Sequence, residues 1–419
     1  MNFKKAGLFI GASTLVRLLG GVVTVKLIAV SIGPSGLGQL GQFMSMMAIC
    51  VLLAAGGIQN GVVTGLAQRE ESSPERESLW RTARTAGAVA SAVAALVLLI
   101  AADPLSVFLF RDTGFVGVVR LFALLQFALC FSTLAAGRVI AEKQTLTFAW
   151  VSSSSVVIGL LGLSLAAWNF GVKGAAYGLV WSAACPAIVY GIRWLRQRQS
   201  EGNGWGIHPP DLSYLAKFSL MVVVSAIAMP TVQILLREHI LARGSWDDVG
   251  SWQAVLRFSD ASLQFVGVLL SSHFLPRISA VRDRAGLQQH VMEAYRFLLP
   301  VIAAITAFAY FFSAELVRLL FSREFGLAIT FLPWQCLGDA LRGLSLVLGF
   351  VALSRGNLTL YISAEVFQGV SMLVGGWLLV DRFGPIGVTY AYILTYGLYL
   401  PICVAVYLTY LRRLPPSSS

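Results

Sequence analysis

Phe170-Gly171-Val172-Lys173-Gly174-Ala175-Ala176-Tyr177 returns as Phe383-Gly384-Pro385-Ile386-Gly387-Val388-Thr389-Tyr390, 213 residues further along the chain. Three other pairs keep almost the same interval of 212: Leu146-Thr147 with Leu358-Thr359, Leu37-Gly38 with Val249-Gly250, and Lys5 with Lys217. One match would mean little where Gly and Leu are common. Four at corresponding joints between apolar stretches mark an internal duplication. A polar, breaker-rich stretch at 193–214, with Gly202, Gly204, Gly206, Pro209 and Pro210, separates the copies.

Working outward, the copies are apolar almost throughout. Of 419 residues 57% are hydrophobic and only 12% charged, against about 25% charged in soluble domains. So much apolar surface cannot be hidden from water, which excludes a soluble multi-domain enzyme and a disordered chain. The apolar runs are long and helical rather than alternating, which argues against an outer-membrane barrel. Apolar windows fall at 6–32, 38–65, 86–110, 117–137, 148–168, 174–192, 215–239, 249–275, 294–313, 328–353, 359–380 and 386–411. The expected fold is an all-α polytopic membrane protein of twelve spans. It reads as an N-terminal six-helix lobe (1–200), a linker (201–213), a C-terminal six-helix lobe (214–411) and a short tail (412–419). Six spans per copy is an even number, so both copies enter from the same side and form a parallel repeat.

The formal charge of +11 would point to nucleic acid in a soluble protein. Here Lys and Arg crowd the segments on one side of the spans, about 17 against about six, which places that side and both termini in the cytoplasm. No nucleic-acid partner is expected. Lys4 and Lys5 precede a retained first helix, with no convincing small-residue cleavage site. The five cysteines lie in apolar runs and the four histidines lack metal spacing, so neither a disulfide framework nor a metal site is expected. No phosphate-cradling Gly-rich loop is present.

Charged residues inside apolar windows carry the functional signal. Lys26, Arg120, Lys217, Arg237 and Arg296 lie close enough to span ends to snorkel. Arg17, Arg257 and Arg342 lie roughly 8–14 residues inside, where a charge costs at least about 2.5 kcal/mol. They need water or a partner. Gln253, Arg257, Asp260 and Gln264 fall at i, i+4, i+7 and i+11, one polar stripe on an apolar helix. Gln335, Asp339 and Arg342 repeat the pattern two spans later, while Gln42 and Asn60 place polar groups near the ends of the second span. One reading is structural: Arg257–Asp260 and Asp339–Arg342 form neutral pairs within helices. The other is a wet, cationic path suited to phosphate, which a planar guanidinium grips bidentately.

Several blocks bear a resemblance. They are Ala12-Ser13-Thr14-Leu15-Val16-Arg17, Lys26-Leu27-Ile28-Ala29-Val30, Gly33-Pro34-Ser35-Gly36-Leu37-Gly38, Ser245-Trp246-Asp247-Asp248-Val249-Gly250-Ser251-Trp252-Gln253, Ser259-Asp260-Ala261, Trp334-Gln335, Gly338-Asp339 and Ala364-Glu365-Val366. Together the chain resembles the Wzx-type lipid-linked oligosaccharide flippases of the multidrug/oligosaccharidyl-lipid/polysaccharide exporter superfamily. The resemblance implies a V-shaped fold of two six-helix lobes working by alternating access. It implies a lipid-linked glycan cargo on undecaprenyl diphosphate, the lipid III of enterobacterial common antigen or an O-antigen-like repeat unit, in a bacterial inner membrane.

The expected roles follow from the stripes and not from a family motif. Arg17, Arg257, Arg342 and Lys26 meet the diphosphate, and Gln42, Asn60, Gln253, Gln264 and Gln335 meet the glycan. Asp260, Asp339 and Glu365 are the candidates for proton or sodium coupling. No catalytic residue, metal or cofactor is expected; the drive is membrane potential with or without an ion gradient. Partners are the cargo, membrane lipid and other glycan-assembly proteins. Two alternatives stay open: a multidrug or small-cation exporter on the same fold, and a membrane polysaccharide polymerase or glycosyltransferase.

Overall fold

The computed structural model describes residues 3–70, 73–197, 204–274, 277–278, 281, 283–354 and 358–415. Among them there is no strand. In chain order the α-helices are α1 (Phe3–Ala54), α2 (Gln59–Gln68), α3 (Pro74–Ile100), α4 (Ala102–Phe110), α5 (Val116–Leu124), α6 (Gln126–Ala141), α7 (Thr145–Gln197), α8 (Pro209–Arg243), α9 (Trp246–Leu269), α10 (Arg284–Phe311), α11 (Ser313–Leu320), α12 (Gly326–Ser354), α13 (Leu358–Phe383) and α14 (Gly387–Arg413). A 3₁₀ turn precedes α5 and a π-helical turn, Leu270–Phe274, follows α9.

Among the described residues, seven helical stretches are long and apolar enough to cross a membrane, or eight if the bent pair Thr113–Leu124 and Gln126–Ala141 is one span. The twelve apolar windows reduce to fewer stretches for physical reasons. Leu19–Gln68 and Thr145–Arg196 run 50 and 52 residues, about 75 Å of helix at 1.5 Å per residue. That is more than twice a hydrocarbon core of about 30 Å, so each holds two windows. Both are broken at a glycine in the left-handed region, Gly33 (φ 66°) and Gly171 (φ 56°). Helix α9 falls short of the hydropathy of a span because of its stripe of Gln253, Arg257, Asp260 and Gln264.

The duplicated motif is one turn used twice. Gly171 and Gly384 (φ 72°) both adopt the left-handed conformation that a Cβ disfavours. A Cβ on Gly174 would collide with the carbonyl oxygen of Ala166, and one on Gly387 with that of Leu379. In each copy that carbonyl lies eight residues back. The long–short pair α3–α4 likewise returns as α10–α11.

The chain separates into two compact units. Unit 1 comprises Met1–Ile32 and Gln39–Pro230; unit 2 comprises Gly33–Gly38 and Thr231–Ser419. Within unit 1, Ile58, Val62, Leu66, Leu79, Leu134 and Leu215 form a buried cluster. Residues 204–208 are fixed to α3: the Gly206 N–H donates to Thr85 Oγ1 at 3.1 Å, and the His208 N–H to Thr82 Oγ1 at 3.0 Å. Asp211, in the first turn of α8, accepts from Arg69 (2.8 Å) and Ser78 (2.7 Å). Within unit 2, Leu270, Phe274, Leu287, Leu298, Val347 and Leu348 are buried together. There Gly38 and Gly250, equivalent positions of the two copies, pack so closely that a Cβ on Gly250 would strike the carbonyl oxygen of Pro34.

Polarity runs inside out. Trp168 and Ile100 are 80% and 73% exposed, while Gln42, Arg237, Gln253, Gln335 and Asp339 are buried. Water would penalise those apolar faces by roughly 25 cal/mol per Å²; lipid does not. The chain is a multi-pass integral membrane protein.

Candidate functional site

Two polar clusters adjoin in unit 2. The first is centred on Asp339, whose position in the middle of α12 turns it towards α9 and α14. Its Oδ1 accepts hydrogen bonds from the Ser259 hydroxyl and, at 2.9 Å, from the Tyr392 hydroxyl. Gln335, one turn earlier, donates through Nε2 to Ser259 Oγ at 3.2 Å. Arg342 donates from Nη1 to the Tyr392 hydroxyl at 3.2 Å and lies 5.3 Å from the Tyr396 ring centre. Tyr392 therefore bridges a carboxylate and a guanidinium, donating to one and accepting from the other. Asp339 Oδ2 has no hydrogen-bond partner among the described residues. Beside it is a cavity of about 20 Å³ lined by Ser262, Thr306, Cys336 and Asp339, room for one water.

The second cluster joins α8 to α9. Arg237 is 1% exposed. Its Nη2 donates to Gln253 Oε1 at 2.6 Å and to Gln233 Oε1 at 3.4 Å, and its guanidinium lies 5.6 Å from the Trp252 ring centre. Arg257, one turn beyond Gln253, is half-buried and pairs with exposed Asp260 at 3.4 Å. That spacing is long for a charge-assisted bond, so the pair is weak. Asp260 is within electrostatic reach of both Arg237 and Asp339.

The candidates are distributed as follows. In unit 1 Lys26 and Asn60 are exposed and Gln42 is buried; the Arg17 side chain lies outside the described residues. In unit 2 Gln264 and Asp260 are exposed, Arg257, Arg342 and Glu365 half-buried, and Gln253, Gln335 and Asp339 buried. Glu365 hydrogen-bonds Tyr361 and lies within electrostatic reach of Arg342. The two stripes do not share a surface: α12 turns its stripe into the packing with α9 and α14, whereas the stripe on α9 grades from buried Gln253 to exposed Gln264. Asp339 and Arg342 are linked through Tyr392 and not only as neighbours on one helix. Trp334 packs edge-on against Tyr390 at 5.3 Å.

Sequence reasoning missed Ser259 and Tyr392 as ligands of Asp339, and Tyr396 beneath Arg342. The signal was Tyr392 and Tyr396, one turn apart on α14, hidden in a helix with many tyrosines. Arg237 was expected to snorkel. It is buried, with Gln233 one turn before it and Gln253 on the next helix both accepting from its Nη2.

The model of the polysaccharide biosynthesis protein family matches residues 28–329. Lipid III flippases from Escherichia coli K12 and Shigella flexneri are each 31% identical over 424 aligned positions, spanning 99% of this chain and all of theirs. Among solved structures, an inward-facing multidrug resistance MATE family transporter of the MOP superfamily superposes with a TM-score of 0.78 at 16% identity, over 97% of this chain and 96% of that one. A MOP superfamily transporter from Pyrococcus furiosus, described as having a binding pocket of reversed polarity, gives 0.66 at 14% identity, over 97% and 94%. These likenesses show an all-helical MATE-like fold, and the chain belongs to the polysaccharide biosynthesis protein family.

Proposed function

We propose that this chain flips an undecaprenyl-diphosphate-linked oligosaccharide from the cytoplasmic to the periplasmic leaflet of a bacterial inner membrane. Lipid III, the cargo named for its 31%-identical relatives, is the leading substrate. The observation that carries the reading is a pair of half-buried arginines, Arg257 and Arg342, set on helices of an otherwise apolar lobe. A cation exporter would be served by carboxylates free of guanidinium neighbours, whereas Asp260, Asp339 and Glu365 each stand near an arginine. A diphosphate is served by guanidinium groups.

Asp260 is the anion that cargo replaces. A phosphate offers Arg257 a shorter, bidentate grip than the 3.4 Å contact with Asp260. Arg342, steadied by Tyr392 and Tyr396, supplies the second charge, and Arg17 and Lys26 are the diphosphate candidates of unit 1. Exposed Gln264 and Asn60 bond sugar hydroxyls; Gln42, Gln253 and Gln335 do so only in a state that uncovers them. Asp339, with its unpartnered Oδ2 and adjacent water-sized cavity, is the strongest of the three acids for taking up a proton on the return step, ahead of Asp260 and Glu365. No step makes or breaks a covalent bond, and both termini face the cytoplasm. Glycan-assembly enzymes are the proposed partners on either side of the membrane.

The test is deletion followed by analysis of accumulated lipid. The expected intermediate is a diphosphate-linked oligosaccharide on the cytoplasmic leaflet, restored to normal turnover by the wild-type gene. Complementation by Arg257→Ala and Arg342→Ala at normal protein levels is expected to fail, and full complementation would remove the diphosphate assignment. Drug-efflux activity without lipid accumulation would favour the exporter alternative.

A further inference from the structure

Another cavity of unit 2 runs lengthwise between α12, α13 and α14. Its volume is about 670 Å³, inside the range of about 300–1,000 Å³ usual for ligand sites. On α14 its wall is Tyr399, Cys403, Val406, Tyr407, Tyr410 and Arg413, at i, i+4, i+7, i+8, i+11 and i+14. One helix face therefore carries it for about 21 Å at 1.5 Å per residue. Tyr361, Ser363 and Phe367 of α13 belong to the same lining. Four of the chain's twelve tyrosines thus gather in one cavity. Outward apolar faces are made differently: Val89, Val93, Leu96 and Ile100 of α3 are exposed, and Tyr310 is the one exposed tyrosine among the described residues. One end of the cavity joins the cluster around Arg342. Phe367 stacks on Tyr399 with ring centres 6.2 Å apart, Tyr399 meets Tyr396 edge-on at 6.2 Å, and Tyr396 lies beneath Arg342. Tyr361 hydrogen-bonds Glu365, itself within electrostatic reach of Arg342.

We infer that this cavity is a glycan subsite, in which sugar rings of the cargo stack along the tyrosine face while the diphosphate is held at Arg342. The inference rests on the flippase reading and extends it to the sugars. A pyranose has a rim of hydroxyls and patches of C–H on its ring faces. Tyrosine offers the matching pair, an aromatic face and a hydroxyl at its tip. Ser363 and Thr409, exposed members of the lining, add further hydroxyls. A polyprenyl tail suits the cavity less well. Hydrocarbon gives a hydroxyl nothing to hydrogen-bond, and an aliphatic wall like the outer face of α3 would serve it better. Continuity with the Arg342 cluster sets the order of binding. The first sugar lies against Tyr361, Phe367 and Tyr399, and later ones extend towards Tyr407 and Tyr410.

The full-length protein in detergent is titrated with lipid III and, separately, with undecaprenyl diphosphate, which has the same tail and phosphates without the sugars. Bound lipid is counted by native mass spectrometry. The wild type is expected to bind lipid III about tenfold more tightly than undecaprenyl diphosphate. Tyr407→Leu removes one ring with its hydroxyl. Ser363→Trp keeps every tyrosine and obstructs the cavity from an exposed position. Each is expected to lose the preference for lipid III while its affinity for undecaprenyl diphosphate stays at the wild-type value. A wild type without the preference, or persistence of the preference in either variant, would overturn the inference. An equal loss for the two lipids in both variants would overturn it by giving the cavity to the tail. Displacement of lipid III by an equal concentration of dioleoylphosphatidylglycerol would overturn it by giving the cavity to a bilayer lipid. In all of these cases, wild-type binding of the two undecaprenyl lipids leaves the flippase reading standing. A wild type that binds neither would sink both.

Discussion

Tyr392 is a single hydroxyl on which two ionisable groups depend. Replacing it with Phe keeps its ring packing against Tyr396, 4.8 Å away, and removes only the bridge. Asp339 then loses a donor and Arg342 an acceptor inside the lobe, which costs about 1–3 kcal/mol. Thermal unfolding of Tyr392→Phe in detergent should show a lowered midpoint, and flipping should fall because Arg342 is no longer held. Arg237 invites a different test. Arg237→Met leaves Gln253 buried without its donor and should destabilise by about 1–3 kcal/mol. Adding Gln253→Leu should recover most of the loss, since an apolar pair of similar size is tolerated where half a polar pair is not. Losses that simply add would show that the two side chains are not coupled. Helical spacing was enough to find Asp339 and Arg342 in the sequence. It could not find Tyr392 or Ser259, because each reaches Asp339 from another helix and periodicity is blind to contacts between elements.

The recurring turn makes predictions that come in pairs. Gly174→Ala and Gly387→Ala each drive a methyl group into a carbonyl oxygen eight residues back, before the turn, a backbone obstacle that cannot swing aside. Both should lower expression of folded protein severely. Gly171→Ala meets no neighbouring atom and carries only the penalty of the left-handed conformation, roughly 1–2 kcal/mol. It should therefore fold, and fluorescence-detected gel filtration would separate the two classes. Asp211 governs how the linker is attached. Burial raises its pKa, but hydrogen bonds from Ser78 and Arg69 and the Arg69 charge outweigh burial, so the carboxyl sits below its ordinary value. A depressed carboxylate stabilises fully above the unfolded pKa and loses its contribution as pH falls through the folded one. Protection of the amides at 204–212, taken relative to the intrinsic exchange rate at each pH, should stay flat near neutrality and fall only in acid, whereas Asp211→Asn should be poorly protected at every pH. The turn was legible in the sequence because glycines at fixed spacing have few other uses. The linker's attachment was not, since Thr82, Thr85 and Arg69 look like ordinary loop and helix-surface residues until the chain returns to them.

A diphosphate diester carries about two negative charges. Moving both across a full membrane field yields roughly 4–5 kcal/mol per 100 mV. Flipping in proteoliposomes should therefore speed up when a potassium diffusion potential is positive on the side that receives cargo, and slow when the potential is reversed. Insensitivity to both would mean that the charges do not cross the field, or that a co-transported cation cancels them. At this scale composition alone identified a helical membrane protein, and the repeat identified its two-fold construction. The division into crossings was less legible. Hydropathy marks apolar windows, but α1 and α7 run through two windows each with only a glycine between them, and α9 dilutes its own signal with its polar stripe.

Residues Gly33–Gly38 have a consequence for anyone who would take the molecule apart. They are encoded in the first copy yet belong to the second compact unit, where Gly38 and Gly250 lie against each other. A fragment beginning at Thr231 would lack six of its own structural residues and would bare the crevice they fill. Severed halves should regain a working transporter only when the upstream polypeptide is supplied intact, and a primordial single copy would have had to borrow this strip from a twin.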